Sequence, residues 1–180
     1  MGKVLIHSTV TLDGFMADGD GGVDWMFGFT EAAEDREVLN DVMAEIGAVL
    51  GGANKTQTID EGEEPYGGTL KVPVFLMTHT PHAPIEKDGT TYRFVIDDIA
   101  LAVREAQDAA GDKSVTLLGG SIARQCLERG LVDEIQLHVV PVLLGKGISL
   151  FSGLENPIKL ERLNTAAYAS VTHLRFRVVR

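Results

Sequence analysis

The sequence predicts a three-layer α/β fold: a mostly parallel central sheet, helices on both of its faces, and an antiparallel hairpin at the carboxyl end. Two observations carry this expectation. Short apolar, β-branched runs alternate with stretches of helical periodicity as far as residue 140, the pattern of strands joined by crossover helices. Beyond residue 158 the pattern changes to alternating apolar and polar residues, as in VTHLRFRVV, which marks strands with one solvated face. A chain of 180 residues with 44% apolar and 23% charged residues, and no linker-like stretch, reads as one domain over 1–180 with a buried core.

Residues 4–10 (VLIHSTV) form an apolar run that enters the turn Thr11-Leu12-Asp13-Gly14, predicting a buried first strand. Asp18-Gly19-Asp20-Gly21-Gly22 is loop. Val38, Leu39, Val42 and Ile46 recur at helical spacing, predicting a helix over 31–46 with Thr30 as its cap and Gly47 as its stop. Residues 48–50 are a short buried strand, and 58–70 are a polar, Gly-rich, acidic loop without periodicity. A strand follows over 72–77, with Pro73 near its start, where a missing amide donor does least damage. Another covers 92–96. Ile99, Ala102, Val103, Ala106 and Ala109 mark the buried stripe of a helix closed by Gly111. Residues 115–118 then turn through Gly119-Gly120-Ser121 into a helix over 122–129, and a strand covers 134–140. Residues 159–163 and 170–179 supply the hairpin. Ligands of parallel sheets bind beyond the carboxyl ends of the strands, which gathers 11–14, 51–56, 78–82 and 119–121 at one edge.

A formal net charge of −10, from 16 basic and 26 acidic residues, sets up a field that repels phosphate backbones and anionic membrane surfaces. Nucleic acid and membrane are therefore not expected as partners. A small anionic cofactor remains compatible, because a helix amino terminus holds phosphate locally. The single cysteine, Cys126, forms neither an internal disulfide nor a Cys-x-x-Cys pair, which favours a reducing compartment. With no signal-peptide core and no run near the roughly 20 apolar residues of a membrane span, a cytoplasmic protein is expected.

Gly119-Gly120-Ser121 joins a buried strand to a helix and so aims free backbone amides at the sheet edge, where a phosphate fits. The same three residues also read as a tight turn that binds nothing, since the full G-x-G-x-x-G pattern is absent. Asp13 follows a buried strand and either touches substrate or caps the L-D-G turn. Trp25 either covers a substrate or anchors its loop. Cys126 falls on a predicted amphipathic helix and reads as packing. His7, His138 and His173 fall in separate predicted strands without metal-ligand spacing, so no metal is expected.

The segment TVTLDGF at 9–15, VTLLGGSIARQCLERGLVDEIQLHVVPVLLGKGISLF at 115–151, and THLRFR near the end resemble the reductase half of the bifunctional deaminase-reductase of riboflavin biosynthesis. That family has the dihydrofolate-reductase-like fold, and the resemblance covers nearly the whole chain. It implies an NADPH-dependent oxidoreductase that transfers a hydride to a small heterocyclic or ribosylamino-pyrimidine substrate, as 5-amino-6-(5-phosphoribosylamino)uracil reductases do. It also implies that Gly119, Gly120, Ser121 and Ile122 meet the cofactor pyrophosphate. Thr78 and His79 would lie near the adenosine ribose and its 2′-phosphate, with Lys55 and Thr56 adding charge and a hydroxyl. Asp13 is the implied catalytic group and a homodimer the implied assembly; Thr11 is a further candidate for substrate contact, as is Trp25 where it covers a substrate.

Many relatives carry a G-R-R-T-like segment where this chain has Gly52-Ala53-Asn54-Lys55, so the phosphate-gripping arginine is missing. NADH, a flavin or a deazaflavin therefore stand beside NADPH as carriers. A catalytically silent nucleotide- or pterin-binding module, or a dihydrofolate-type reductase, are the alternatives. The zinc deaminase that often accompanies this reductase needs H-x-E and P-C-x-x-C, which one cysteine does not supply.

Overall fold

The computed structural model describes residues 2–29, 32–53, 65–96 and 98–180. In chain order the elements are β1 (Val4–Thr11), β2 (Phe15–Ala17), α1 (Ala33–Glu45), β3 (Ile46–Gly52), β4 (Val74–Thr78), β5 (Ile85–Lys87), β6 (Thr90–Ile96), α2 (Ile99–Ala110), β7 (Ser114–Leu118), α3 (Gly120–Glu128), β8 (Glu134–Val140), β9 (Ile148–Ser149), β10 (Leu160–Tyr168) and β11 (Val171–Val178). Nine strands form one sheet in the order β10-β11-β8-β1-β7-β3-β4-β6-β5. The strands from β8 to β6 run parallel, and β11, β10 and β5 are added antiparallel at the two edges. The expected α/β fold with its antiparallel terminal hairpin is therefore the fold observed.

Strand alternation gives the sheet two chemically different faces. Val4, Ile6, Leu50, Phe75 and Val115 point to one face and pack with Ile99, Ala102 and Val103 of α2 and with Ile122, Ala123 and Cys126 of α3. That layer is apolar throughout. On the other face, Val49, Val74, Leu76 and Tyr92 pack beneath Tyr66, while the part under α1 presents His7, Gln136, His138, His173 and Arg175.

Several predicted boundaries move. The helix predicted over 31–46 ends at Glu45, and Ile46 opens β3, paired with Ser114, with no loop between helix and strand. Gly47 is a strand residue and not a helix stop; a Cβ there would stand 2.8 Å from the Ala110 carbonyl, so its smallness lets β3 approach the end of α2. Thr30 lies outside the described residues. Ala109 is exposed, and the neighbouring Ala110 packs on the core instead. The last helix starts at Gly120, two residues before the predicted position. Strand β5 escaped the periodicity because it is short and exposed, with no buried residue.

Candidate functional site

The carboxyl edge of the parallel strands gathers the expected segments around the start of α3. Gly119 is the N-cap at φ 96 and ψ 141, a conformation that requires glycine, and no side chain caps the helix. The first intrahelical bond runs from the Ala123 amide to the Gly119 carbonyl at 3.0 Å. Among the described residues nothing accepts from the amides of Gly120, Ser121 and Ile122 in the first turn, and the helix dipole adds partial positive charge there. Among the described residues, a Cβ built on Gly119 would meet nothing within 4 Å.

The two glycines have different work. A Cβ on Gly120 would lie 2.9 Å from the Ser149 carbonyl oxygen, so this glycine lets α3 sit against the β9 segment. Ile122 is buried in the core beside Gly52 and offers only its amide, while Ser121 is exposed. The Leu150 amide donates to the Gly14 carbonyl at 3.3 Å, and β2 pairs with β9. The L-D-G turn, the segment that leads through Gly145-Lys146-Gly147 into β9, and the glycine turn therefore lie together along one rim.

Asp13 is exposed and tied to that rim. Its carboxylate accepts from the Thr11 hydroxyl at 2.6 Å, from the Gly145 amide at 2.7 Å and from the Leu144 amide at 3.3 Å. The Thr11 hydrogen bond, with the two amides, holds its pKa below the ordinary carboxylate range. In this geometry Asp13 is an ionised clasp joining the turn after β1 to residues 144–145. Thr11 is buried, and its hydroxyl is taken up by Asp13 and the Phe15 amide.

Thr78 ends β4, and its hydroxyl accepts from the Thr80 amide at 3.1 Å, which places the exposed His79 at the tip of a tight turn. Trp25 sits half-buried in a single helical turn (Asp24–Met26), with its indole N–H enclosed and unpartnered among the described residues. Lys55 and Thr56 lie outside the described residues.

Under α1 the structure assembles a polar group that the sequence reading left scattered. His7, His138 and His173 stand on the neighbouring strands β1, β8 and β11 and join nitrogen to nitrogen, His7 Nε2 to His138 Nε2 at 2.8 Å and His138 Nδ1 to His173 Nδ1 at 2.6 Å. His173 Nε2 meets Asp35 Oδ1 of α1 at 2.8 Å, and His7 Nδ1 meets the Tyr66 hydroxyl at 3.1 Å. Burial lowers the pKa of His7 to about 4 and that of His138 to about 2, so both imidazoles are neutral. Among the described residues no group of three or more His, Cys, Asp or Glu converges as metal ligands. The sequence signal was present, since three of five histidines fall in predicted strands, but their adjacency depends on β11 pairing with β8.

The RibD C-terminal domain model matches residues 2–174. Among relatives, the uncharacterized protein YyaP of Bacillus subtilis is 28% identical over 93% of this chain and 90% of its own length. The uncharacterized protein YwjB of the same organism is 22% identical over 97% of each chain. Among solved structures, the chain is similar to a protein of Shewanella sp. PV-4 named for riboflavin biosynthesis, with a TM-score of 0.82, 20% identity and 99% of both chains covered. It is also similar to the deaminase/5-amino-6-(5-phosphoribosylamino)uracil reductase of Thermotoga maritima, with a TM-score of 0.66, 17% identity, 99% of this chain and 57% of that one. Dihydrofolate reductase from Enterococcus faecalis, solved with NADP(H), aligns with a TM-score of 0.64 and 10% identity over 98% of this chain and 96% of that one. With the sheet order, the glycine turn and the match over 2–174 in agreement, the chain belongs to the RibD C-terminal domain family and has its dihydrofolate-reductase-like fold.

Proposed function

We propose that this chain is an NADPH-dependent oxidoreductase that transfers a hydride to a small heterocyclic substrate of the ribosylamino-pyrimidine class. The observation that carries the reading is the uncapped start of α3, with free amides on Gly120, Ser121 and Ile122 behind a glycine that leaves the approach open. The reading draws also on Gly119, around whose position no described atom lies within 4 Å of a built Cβ. The names of the Thermotoga and Enterococcus proteins, a uracil reductase and a reductase solved with NADP(H), support the same cofactor class.

Bound there, the dinucleotide supplies the hydride. The protein's part is to fix donor and acceptor within about 3 to 3.5 Å and to keep water out. In this reading Thr78 and His79, at the end of β4, serve the adenosine end together with Lys55 and Thr56. Asp13 acts by holding the rim of residues 144–145, and Trp25 covers the substrate side. We place the enzyme in the cytoplasm as a homodimer, in keeping with its charge, its lone cysteine and the family. A second reading, a nucleotide-binding module without turnover, draws on the engagement of Asp13 within the rim, which leaves it no proton to give.

Ser121→Glu separates binding from folding. Ser121 is exposed in the first turn of α3, where an acidic side chain favours the helix by about 0.3 to 1 kcal/mol yet repels a phosphate. Calorimetric titration is expected to show NADPH binding to the native protein and at least tenfold weaker binding to the variant, with the melting temperature unchanged or raised. Failure of NADPH, NADH and reduced deazaflavin alike to bind the native protein would overturn the proposal. Tight binding without oxidation across a panel of pyrimidines and pteridines would select the silent module.

A further inference from the structure

Between α1 and the strands β8, β11 and β10 lies a cavity of 210 Å3. It sits toward the amino ends of the parallel strands. Gln136, on its floor, precedes Val140, the last residue of β8, by four residues, which places it roughly 13 Å short of the carboxyl edge. On the inner side, a polar line runs from Thr116 through Tyr66, His7, His138 and His173 to Asp35 and is closed link by link. Of that line only His173 reaches the cavity wall.

Gln136 is the group this arrangement leaves over. Only 4% of it is exposed, it lines the cavity, and among the described residues its carboxamide has no hydrogen-bond partner. Both flanking side chains are engaged elsewhere. On β1, His7 has one ring nitrogen against His138 and the other against the Tyr66 hydroxyl. On β11, Arg175 donates from Nε to Glu134 and from Nη1 and Nη2 to Glu45, and Lys3 takes the other oxygen of Glu134. A buried carboxamide with neither its N–H nor its carbonyl paired is costly, and native proteins satisfy such groups. Here a partner has to enter through the cavity.

The lining chemistry defines that partner. A carboxamide offers a donor and an acceptor side by side, and the group that takes both at once is another amide edge, an N–H beside a C=O. From the helix wall α1 supplies Asp41, a carboxylate with no partner among the described residues, which calls for an N–H donor. Glu45 adds no free charge, because both of its oxygens hold Arg175. Val38, Val42 and Ala166 give the wall its apolar parts, and the Tyr168 ring lies 6.0 Å from that of His173. A space of 210 Å3 is below the roughly 300 Å3 at which pockets for drug-sized ligands begin, so it takes a single small ring and not a nucleotide.

We propose that the cavity beneath α1 is a binding site for a small amino-substituted lactam ring of the cytosine type, held through its N–H/C=O edge by Gln136 and through its amino group by Asp41. The ring N–H donates to Gln136 Oε1, the ring carbonyl accepts from Gln136 Nε2, and the exocyclic amino group donates to the Asp41 carboxylate. These two recognition groups lie at opposite ends of the cytosine ring, as Gln136 and Asp41 lie on the strand and helix walls. Uracil keeps the amide edge but turns a carbonyl toward Asp41, where two acceptors would meet, so the site distinguishes amino from oxo. None of these residues belongs to the glycine-turn edge, and the site stands whether or not the chain is a reductase.

Titration of the native protein with cytosine, uracil and cytidine, followed by calorimetry and by proton–nitrogen NMR of the side-chain amides, tests the site. Cytosine is expected to bind at micromolar to millimolar concentration and to shift the Gln136 side-chain amide resonances. Uracil should bind about tenfold more weakly, and cytidine, which lacks the ring N–H and exceeds the space, should not bind. Gln136→Leu removes an unpartnered polar group from the interior, so the melting temperature should stay unchanged or rise while cytosine affinity falls about tenfold. Asp41→Asn should abolish the preference for cytosine over uracil, because an amide faces either group equally well. Absence of cytosine binding to the native protein at millimolar concentration would leave the cavity to water alone and overturn the site. Binding that Gln136→Leu leaves intact, or that shifts other side-chain amides and not that of Gln136, would overturn it too. Equal affinity of the native protein for cytosine and uracil would overturn the ligand class. The native titrations decide even where a variant fails to fold.

Discussion

Acidification is the perturbation that addresses the buried histidines most directly. His7 and His138 have pKa values lowered by burial to about 4 and about 2, against 6.5 when exposed. In the unfolded chain both take up protons as the pH falls through 6.5, and in the native state neither does. Stability is therefore complete well above pH 6.5 and is lost as the pH falls, down to about 4 for His7 and about 2 for His138. Between pH 8 and pH 5 each group forfeits about 2 kcal/mol, roughly 4 kcal/mol together, a large part of the ~5 to 15 kcal/mol that holds a typical domain. Urea unfolding followed by circular dichroism at both pH values measures this loss. His7→Asn should remove about half of the pH dependence. A stability at pH 5 within ~1 kcal/mol of that at pH 8 would refute the assignment of neutral, proton-refusing imidazoles. So would a decline beginning only below the ordinary carboxylate range, because the histidine window lies above it.

Gly120→Ala places a Cβ 2.9 Å from the Ser149 carbonyl oxygen, a backbone atom that cannot swing aside, and should destabilise the fold by about 1 to 3 kcal/mol in urea unfolding. The Cβ faces the β9 segment, so the remaining folded protein should keep most of its NADPH affinity by calorimetry. Asp13→Asn removes a carboxylate that accepts from Thr11, Leu144 and Gly145, and amide hydrogen exchange at Leu144 and Gly145 should accelerate while α2 stays protected. Burial pushes the Cys126 thiol up to about 12, so it should stay unreactive toward a disulfide reagent at pH 8 in the native protein and titrate fully in urea.

The edge of the site was legible because its parts are local. A strand running into Gly119-Gly120-Ser121 and then an amphipathic helix fixes free amides at a helix start, whatever the rest of the chain does. The division of labour between the two glycines was not legible, since only the approach of Ser149 shows that Gly120 serves packing while a Cβ on Gly119 would meet no described atom. Asp13 was readable as either a ligand contact or a cap. Its bonds to residues 131 and 132 positions further along, which tie it to the Leu144 and Gly145 amides, lie beyond any local window.

What the sequence determined by itself is what short-range patterns determine: the α/β class, the order of most elements, the apolar layer under α2 and α3, and the glycine turn. Those follow from periodicity and from backbone preferences within a few residues. The line from Thr116 to Asp35 was decided by tertiary structure alone. Asp35 lies on a helix whose apolar stripe predicts packing, and Tyr66 lies in a segment that lacks periodicity. Three histidines far apart in the chain become neighbours only through the parallel register of β1 with β8 and the antiparallel return of β11. Each of these side chains is polar and buried, and a buried polar group is stable only with a partner, which no window of local sequence contains.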